Sequence, residues 1–549
     1  MPRDHPGHVD TRTRTQLAQA RAAISSVPTP SGRRDVVGGC LQVLVAGEHD
    51  RLRPCLPRVA AAILLLLASA LAPADSGPGE RPAELEVRLA EATAAFARGD
   101  WQAAEAHYRA ALPEMEQVPG LFLKLAETSA RQGRGADALT WLERAAALGL
   151  SGLPPSVESA LGQGRATRRW QSLLARLAQN REPIVRGVVA FTLAERDLIP
   201  ESVAFDPADR AFYLGSLRKR KIVRVAPGRV TSDLVSTATN GLWAVFGMKR
   251  HPFRRELWAN ACSMASSPPM EPAEPSSEGS GAVFRFALPD GRLLARYALP
   301  DGVRRACFND LAITVDGSVY LSSGPDGVFH LTPGGERLQQ LLAYDGDVNG
   351  IAASDDGRFL FLADQRRGIV RLELTTHALL PLGVPSGTTL AGIDGLYVQG
   401  RTLVAIQNGL AGVPERVLQG WLNQDLERVE CIATLDRAHP RFDVPTTGVL
   451  VGTSFYYVAA SHLSAFDAPE RLPSWDRLTE STVLRTHLLS ACPAKGYSPY
   501  AKQVGGGAAE GGMDGVTRLR LRSNSRPNSP GRVPRGSTMR RCVERCGSA

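Results

Sequence analysis

Four oxygen-bearing side chains recur at matching places in this sequence. Glu201 opens Glu201-Ser-Val-Ala-Phe-Asp-Pro, and Asn309 opens Asn309-Asp-Leu-Ala-Ile-Thr-Val-Asp-Gly. Asn349 opens Asn349-Gly-Ile-Ala-Ala-Ser-Asp-Asp-Gly, and Asp394 opens Asp394-Gly-Leu-Tyr-Val. The last three are 40 and 45 residues apart, and the first two are 108 apart. Two carboxylates and two amide oxygens brought to one point suit a hard divalent cation, with Ca, Zn, Mg and Mn all open. Buried without a cation, the two carboxylates would be costly and would partly neutralise themselves. One Asn-Gly or Asp-Gly pair is only a common turn; four such starts in register form a pattern. A polar but purely structural channel is the competing reading.

The elements that would position these residues are short strands. From Val188 the apolar pattern has period two, broken by Asp-Gly and Pro-Gly turns that supply the positive φ a tight hairpin needs. Ala211-Phe-Tyr-Leu-Gly-Ser and Lys221-Ile-Val-Arg-Val continue the first unit, and Gly327-Val-Phe-His-Leu and Gly368-Ile-Val-Arg-Leu continue two later ones. Further units start at Gly241-Leu-Trp-Ala-Val and Gly448-Val-Leu-Val-Gly. About six four-stranded units of 40–50 residues predict a mainly β fold, a six-bladed β-propeller over residues 187–470. In a propeller the first strand of each blade lines the central channel, so the four residues converge although they are distant in sequence. Val188–Leu193 is expected to complete the last blade and close the ring. A Pro-, Ser- and Glu-rich insertion, Ser263 to Gly281, reads as a mobile loop, either covering a face of the propeller or solvated at its surface.

Residues 84–180 read as a small all-α domain preceding the propeller. Gly99, Ala104, Tyr108 and Ala111 recur 34 residues later as Gly133, Ala138, Leu142 and Ala145, a tetratricopeptide-like period. Such repeats are a candidate surface for a protein partner. Further upstream, Arg51, Arg53 and Arg58 precede the apolar run Val59–Leu71 and the small-x-small Ala70-Leu-Ala72. Residues 51–72 therefore resemble a secretory signal, implying export to a periplasmic or extracellular compartment. The apolar run is too short for a stable membrane span. Residues 1–50 read as an extension upstream of that signal, and 490–549 as a disordered basic tail. Gly505–Gly512 has no flanking strand and helix to make it a phosphate loop.

The formal charge of +9 does not describe a nucleic-acid binder. Residues 1–58 hold nine Arg against five acids and residues 517–549 nine against one, so the rest of the chain is slightly acidic. Cys262, Cys307 and Cys431 lie far apart in the core sequence without Cys-x-x-Cys spacing, and they read as buried free thiols rather than a zinc site. His439 and His462 are candidate proton carriers at the channel mouth, with turn capping as the alternative. Trp243 and Met248 are candidates for pocket lining or for core, and Trp101 and Trp141 read as helical core.

The segments Pro200-Glu-Ser-Val-Ala-Phe-Asp-Pro, Phe308-Asn-Asp, Val348-Asn-Gly-Ile-Ala, Asp356-Gly-Arg-Phe-Leu-Phe-Leu-Ala-Asp364 and Ile393-Asp-Gly-Leu resemble motifs of the gluconolactonase, regucalcin and luciferin-regenerating enzyme superfamily. The resemblance spans about 280 residues. It implies a divalent metal held by Glu201, Asn349 and Asp394, with Asn309 beside it contacting substrate or water and Asp394 also accepting a proton. The implied reaction is hydrolysis of a lactone or related cyclic ester. Two positions depart from the family pattern: Ser202 follows Glu201 where Gly is common, and Cys307 stands where an Arg is common.

No Gly-x-Ser-x-Gly elbow or Ser-His-Asp order supports covalent catalysis. A non-catalytic propeller joined to helical repeats as a protein-interaction scaffold is the alternative function. An isomerase or synthase on a related propeller, such as strictosidine synthase, would need a further pocket acid or base that the sequence does not identify.

Overall fold

In the computed structural model, the described residues are 84–161, 167–237, 239–263, 279–300, 302–303, 306–409, 415–463 and 477–493. The expected signal segment, the extension before it, most of the 263–281 insertion and nearly all of the basic tail lie outside them. No helix among the described residues is long and apolar enough to cross a membrane.

The strands form six four-stranded antiparallel sheets arranged as a propeller. Blade one is β2 (Pro200–Asp206), β3 (Ala211–Ser216), β4 (Ile222–Val225) and β5 (Thr231–Val235). Blade two is β6 (Ala244–Arg250), β7 (Glu256–Cys262), β8 (Gly281–Ala287) and β9 (Leu293–Ala298). Blade three is β10 (Leu311–Ile313), β11 (Val319–Ser323), β12 (Gly327–Leu331) and β13 (Gln339–Leu342), and blade four is β14 (Val348–Ala353), β15 (Phe359–Asp364), β16 (Gly368–Glu373) and β17 (Leu379–Pro381). Blade five is β18 (Ile393–Gln399), β19 (Thr402–Gln407), β20 (Arg416–Leu422) and β21 (Val429–Arg437).

Blade six is made from both ends of the domain. β22 (Gly448–Val451), β23 (Ser454–Ala460) and β24 (Ser481–His487) are completed by β1 (Val188–Leu193), whose Val188–Leu193 run pairs antiparallel with β24. The propeller therefore extends to His487, past the boundary at 470 expected from sequence. The Pro-containing stretch after His462 interrupts the alternation before β24 resumes it.

The strand sequences explain the packing. Each propeller blade is covered on both faces, so the middle strands are continuous apolar runs: all six residues of Phe359-Leu-Phe-Leu-Ala-Asp in β15 are buried. Six apolar clusters fill the six blade-to-blade interfaces. The hairpin turns repeat one device. Thr314 Oγ1 donates to Asp316, which accepts from the Ser318 amide at 3.0 Å, and Gly317 takes φ 87°. Ser354, Asp356, Arg358 and Gly357 repeat it in blade four.

Upstream of β1 lie α1 (Glu84–Ala97), α2 (Trp101–Ala110), α3 (Leu112–Met115), α4 (Pro119–Arg131), α5 (Gly135–Ala147), α6 (Pro155–Ala160) and α7 (Arg168–Arg181). Asp100 caps α2 by accepting from the Ala103 amide at 3.1 Å. Ala104, Tyr108, Ala111, Ala138, Leu142 and Ala145 are all buried in one apolar cluster with Trp141. Ala391, from the loop between β17 and β18, belongs to the same cluster, so the helices and the propeller share a core.

The cysteine expectation is corrected. Cys262 and Cys307 form a disulfide, and Cys431 and Cys492 are also disulfide-bonded. Sequence distance hid the first pairing: the end of β7 in blade two meets the segment entering blade three, with Cα atoms 5.3 Å apart.

Candidate active site

The first strands of four blades carry a register irregularity at the channel-mouth end. It falls between Pro200 and Ser202 in β2, Val245 and Met248 in β6, Val348 and Ile351 in β14, and Ile393 and Leu396 in β18. The residues skipped by the ladder include Glu201, Phe246, Asn349 and Asp394. A bulge frees a residue from strand pairing and re-aims its side chain, which is how a regular sheet presents functional groups at its rim.

Glycines let these bulges come together. A Cβ on Gly350 would lie 2.3 Å from the Asp394 carbonyl oxygen, and one on Gly395 would lie 2.8 Å from the Thr446 carbonyl oxygen. Each bulge backbone thus packs against the next blade's, and the Asn-Gly and Asp-Gly pairs are close-approach sites rather than hairpin turns.

Asp394 is at the centre of the resulting contacts. It is 4% exposed, accepts from Asn408 Nδ2 at 2.9 Å and is hydrogen-bonded by the Asn349 side chain. Burial pushes its carboxyl up to about 7; the Asp310 charge adds to the rise, and the Asn408 and Asn349 hydrogen bonds oppose it. Asn309, Asn349 and Asn408 line an open cavity of about 460 Å³ together with Asp347, Gln365, Arg366, Met115 and Val118. Asn309 Nδ2 donates to the Val348 carbonyl at 2.9 Å, tying blade three to blade four.

Three expected residues are thereby brought together: Asn349 bonds Asp394, and Asn309 shares the cavity wall with Asn349. Glu201 is buried at the equivalent bulge of blade one, where Thr446 and Thr447 hydroxyls donate to its carbonyl oxygen at 3.3 and 2.7 Å. Neither Glu201 nor Asp394 is among the residues lining the cavity; Asp394 lies behind its wall, bonded to the lining residues Asn349 and Asn408.

Behind the bulges lies a second buried charge. Asp310 is 2% exposed and takes both Lys249 Nζ contacts, at 2.8 and 3.0 Å. Burial raises its carboxyl, and Lys249 opposes that rise. Lys249 also lies 5.2 Å from the centre of the Tyr397 ring.

The residues fit a hard cation by the chemistry of their donors. Asn309 commits its amide nitrogen to the Val348 carbonyl, which directs its oxygen towards a cation or substrate, and Asn408 commits its amide nitrogen to Asp394. Asp394 is a buried carboxylate with Asp310 near it, and the adjacent Lys249 already bonds Asp310. Among the described residues no three His, Cys, Asp or Glu side chains gather as a metal cluster, so the donor set depends on amide oxygens.

Sequence reasoning missed Asn408, Phe246 and Asp310. Asn408 follows β19 and acquires its role only through the pairing of β18 with β19. Phe246-Gly247 does repeat the residue-Gly signal, five residues beyond Gly241, the start taken for that blade. The two histidines have structural partners. His439 Nε2 is 3.2 Å from the Gly187 carbonyl oxygen, and its Nδ1 accepts from the Arg441 amide. His462 lies between Asp443 Oδ2 at 2.6 Å and the Thr479 carbonyl oxygen at 3.0 Å. Met248 belongs to the core between blades one and two, with Trp243 packed against it.

No protein-family model matches the chain, and no curated protein matches it. Among solved structures, a gluconolactonase of Xanthomonas campestris is 15% identical, with a TM-score of 0.37 over 56% of this chain and 92% of its own. A catalytically inactive virginiamycin B lyase of Staphylococcus aureus with quinupristin is 12% identical, with a TM-score of 0.36 over 55% of this chain and 98% of its own. The functional reading has to rest on the site itself.

Proposed function

We propose that the channel mouth is the active centre of a metal-dependent hydrolase acting on a lactone or related cyclic ester. The observation that carries this reading is the placement of Asp394: a buried carboxylate on a bulge, held by two amides that also line an open cavity. Glu201, Asn349 and Asp394 are the proposed ligands of one divalent cation, with Asn309 contacting substrate or water.

A cation there would supply Lewis acidity, polarising the ester carbonyl and stabilising negative charge on its oxygen. The chain's own residues set the rest. Asn408 fixes one Asp394 oxygen through its amide nitrogen, so the other carboxylate oxygen has a defined direction. Without a cation, burial holds the Asp394 carboxyl at about 7; a bound cation would lower it, so Asp394 would take the proton from water through the carboxylate oxygen that does not hold the cation. The Asn309 amide oxygen can accept from a substrate hydroxyl or from the attacking water. Asp310 and Lys249 anchor the floor, and Asp310 contributes to the basicity of Asp394.

The Cys262–Cys307 disulfide accords with an exported, oxidising location, the compartment proposed from the signal-like segment. The helical repeats are proposed as tetratricopeptide-like.

Metal content of the purified protein, combined with a lactone panel before and after chelation, tests the proposal. Bound divalent metal is expected, with turnover lost on chelation, restored by adding the metal back, and lowered at least about 100-fold by Asp394→Asn. Metal-independent turnover, or turnover unchanged in Asp394→Asn, would refute it.

A further inference from the structure

The wall of this cavity is not made by the propeller alone. Met115 and Val118 line it together with Asn309, Asn349, Asn408, Asp347, Gln365 and Arg366, and among the described residues they are its only apolar lining residues. Both belong to the short turn joining α3 to α4, which the Val118 amide closes on the Met115 carbonyl at 3.0 Å. Both are buried members of the helical core, so their positions follow from that core rather than from a free loop.

Gln117, between them, fastens this turn to the propeller. Its Nε2 donates to the Arg367 carbonyl at 2.9 Å, and its Oε1 accepts from the Leu390 amide at 3.0 Å. Its own carbonyl accepts from Thr389 Oγ1 at 2.6 Å. Glu114 pairs with Arg367, and Glu86 pairs with Arg366, itself a cavity residue. Two loops, one within blade four and one leading into blade five, therefore hold one apolar turn at a cavity whose other lining residues are polar.

A polyhydroxylated ring would leave hydroxyls against a thioether and an isopropyl group, where they find no hydrogen-bond partner. A ring whose ester faces the amides and whose aliphatic substituent faces Met115 and Val118 satisfies both sides. We propose that the helical module is part of the substrate site, and that Met115 and Val118 select a lactone bearing an aliphatic chain of several carbons. Gln117 is the positioning residue for that wall. The inference rests on the lactone reading above and adds the substrate class to it.

The test compares γ-decalactone with γ-butyrolactone in the full chain. The variant Met115→Gln/Val118→Thr keeps side-chain volume while making the wall polar, and a thermal melt checks that it folds. In the wild type kcat/KM should favour γ-decalactone by roughly tenfold or more, the scale expected from burying a few methylenes. In the variant that ratio should fall towards one, with the change in KM rather than kcat. Equal use of both lactones by the wild type, or an unchanged ratio in a folded variant, overturns the proposal while leaving the hydrolase reading standing.

If neither lactone is hydrolysed, the hydrolase reading is what suffers, and binding decides the wall separately. Calorimetry with the matching lactams, one with a six-carbon chain and one without, should then show chain-dependent binding that weakens roughly tenfold in the variant. Absence of chain-dependent binding to the wild type overturns the proposal on its own. Should the variant fail to fold, the wild-type preference in either experiment still supports or overturns it.

Discussion

Asp394 places a carboxylate where burial opposes its charge, and this has a consequence for stability that does not depend on knowing the substrate. Its carboxyl is pushed up to about 7 by burial, with the Asp310 charge adding to the shift, against an ordinary value of 3.8. Below about pH 4 it is protonated in both folded and unfolded chains. As pH rises from there, the unfolded chain releases the proton while the folded chain keeps it. The folded state then binds more protons, so stability falls with rising pH until about pH 7. In metal-free protein this loss is on the order of 4 kcal/mol from that one group. The variant Asp394→Asn has no such titration. The difference in thermal stability between chelated wild type and Asp394→Asn should therefore shift against the wild type between pH 4.5 and pH 8. A bound cation reverses the sign of the site's contribution, because it competes with the proton and stabilises the folded state that holds it. Adding the divalent metal should thus raise the wild-type melting temperature more at pH 8 than at pH 5.5, and should do much less for Asp394→Asn. Parallel pH profiles for the two proteins without metal would show that Asp394 ionises as an ordinary surface carboxylate.

At the scale of the element, the bulged first strands explain why glycine follows two of the site residues. The variant Gly350→Ala would drive a methyl group to 2.3 Å from the Asp394 carbonyl oxygen and 2.9 Å from the Leu396 amide nitrogen, both backbone atoms that cannot rotate away. Overpacking of this kind typically costs about 1–3 kcal/mol. A fall in denaturation midpoint, together with loss of cation binding as blade five shifts, is the expected result; a stable variant with normal binding would show that the two bulges do not depend on each other. Much of this was legible in the sequence. Period-two runs and Asp-Gly turns follow from local pleating and backbone preference, so the blades and the spacing of Asn309, Asn349 and Asp394 could be read directly. Ser354 and Asp356 announced their own hairpin by local hydrogen bonding. What could not be read depends on neighbours distant in the chain. Asn408 matters only because β19 pairs with β18, and Cys262 finds Cys307 only because adjacent blades meet at one rim. β24 lay beyond an interrupted pattern and became recognisable through its pairing with β23 and β1.

Across the whole molecule, the helices are joined to the propeller at two separated places. One is the channel mouth, through Gln117, Glu114 and the packing of Ala391 into the helical core. The other follows α7, where Arg437 donates to the Gln179 and Glu182 carbonyls and pairs through its backbone with Ile184 at 2.9 Å. A few residues later the chain enters β1 and completes blade six, so the second attachment is continuous with ring closure. The two should have different stabilities. The mouth attachment consists of a few side-chain hydrogen bonds and ion pairs, several of them partly exposed, each worth about 0.5–1.5 kcal/mol. The second attachment adds a two-way backbone pairing of Ile184 with Arg437, in the outer strand of blade five, four residues before the chain enters the ladder of blade six. The double variant Gln117→Ala/Arg367→Ala should therefore loosen α3 and α4 by about 2–3 kcal/mol while leaving β1 and β24 protected. Native-state hydrogen exchange reads this directly, as faster exchange in 112–131 with unchanged exchange in 188–193 and 481–487. Equal acceleration in all three segments would mean that helices and propeller open as a single cooperative unit. No acceleration would mean that the shared apolar core around Ala391, rather than Gln117 and Arg367, holds the turn over the channel.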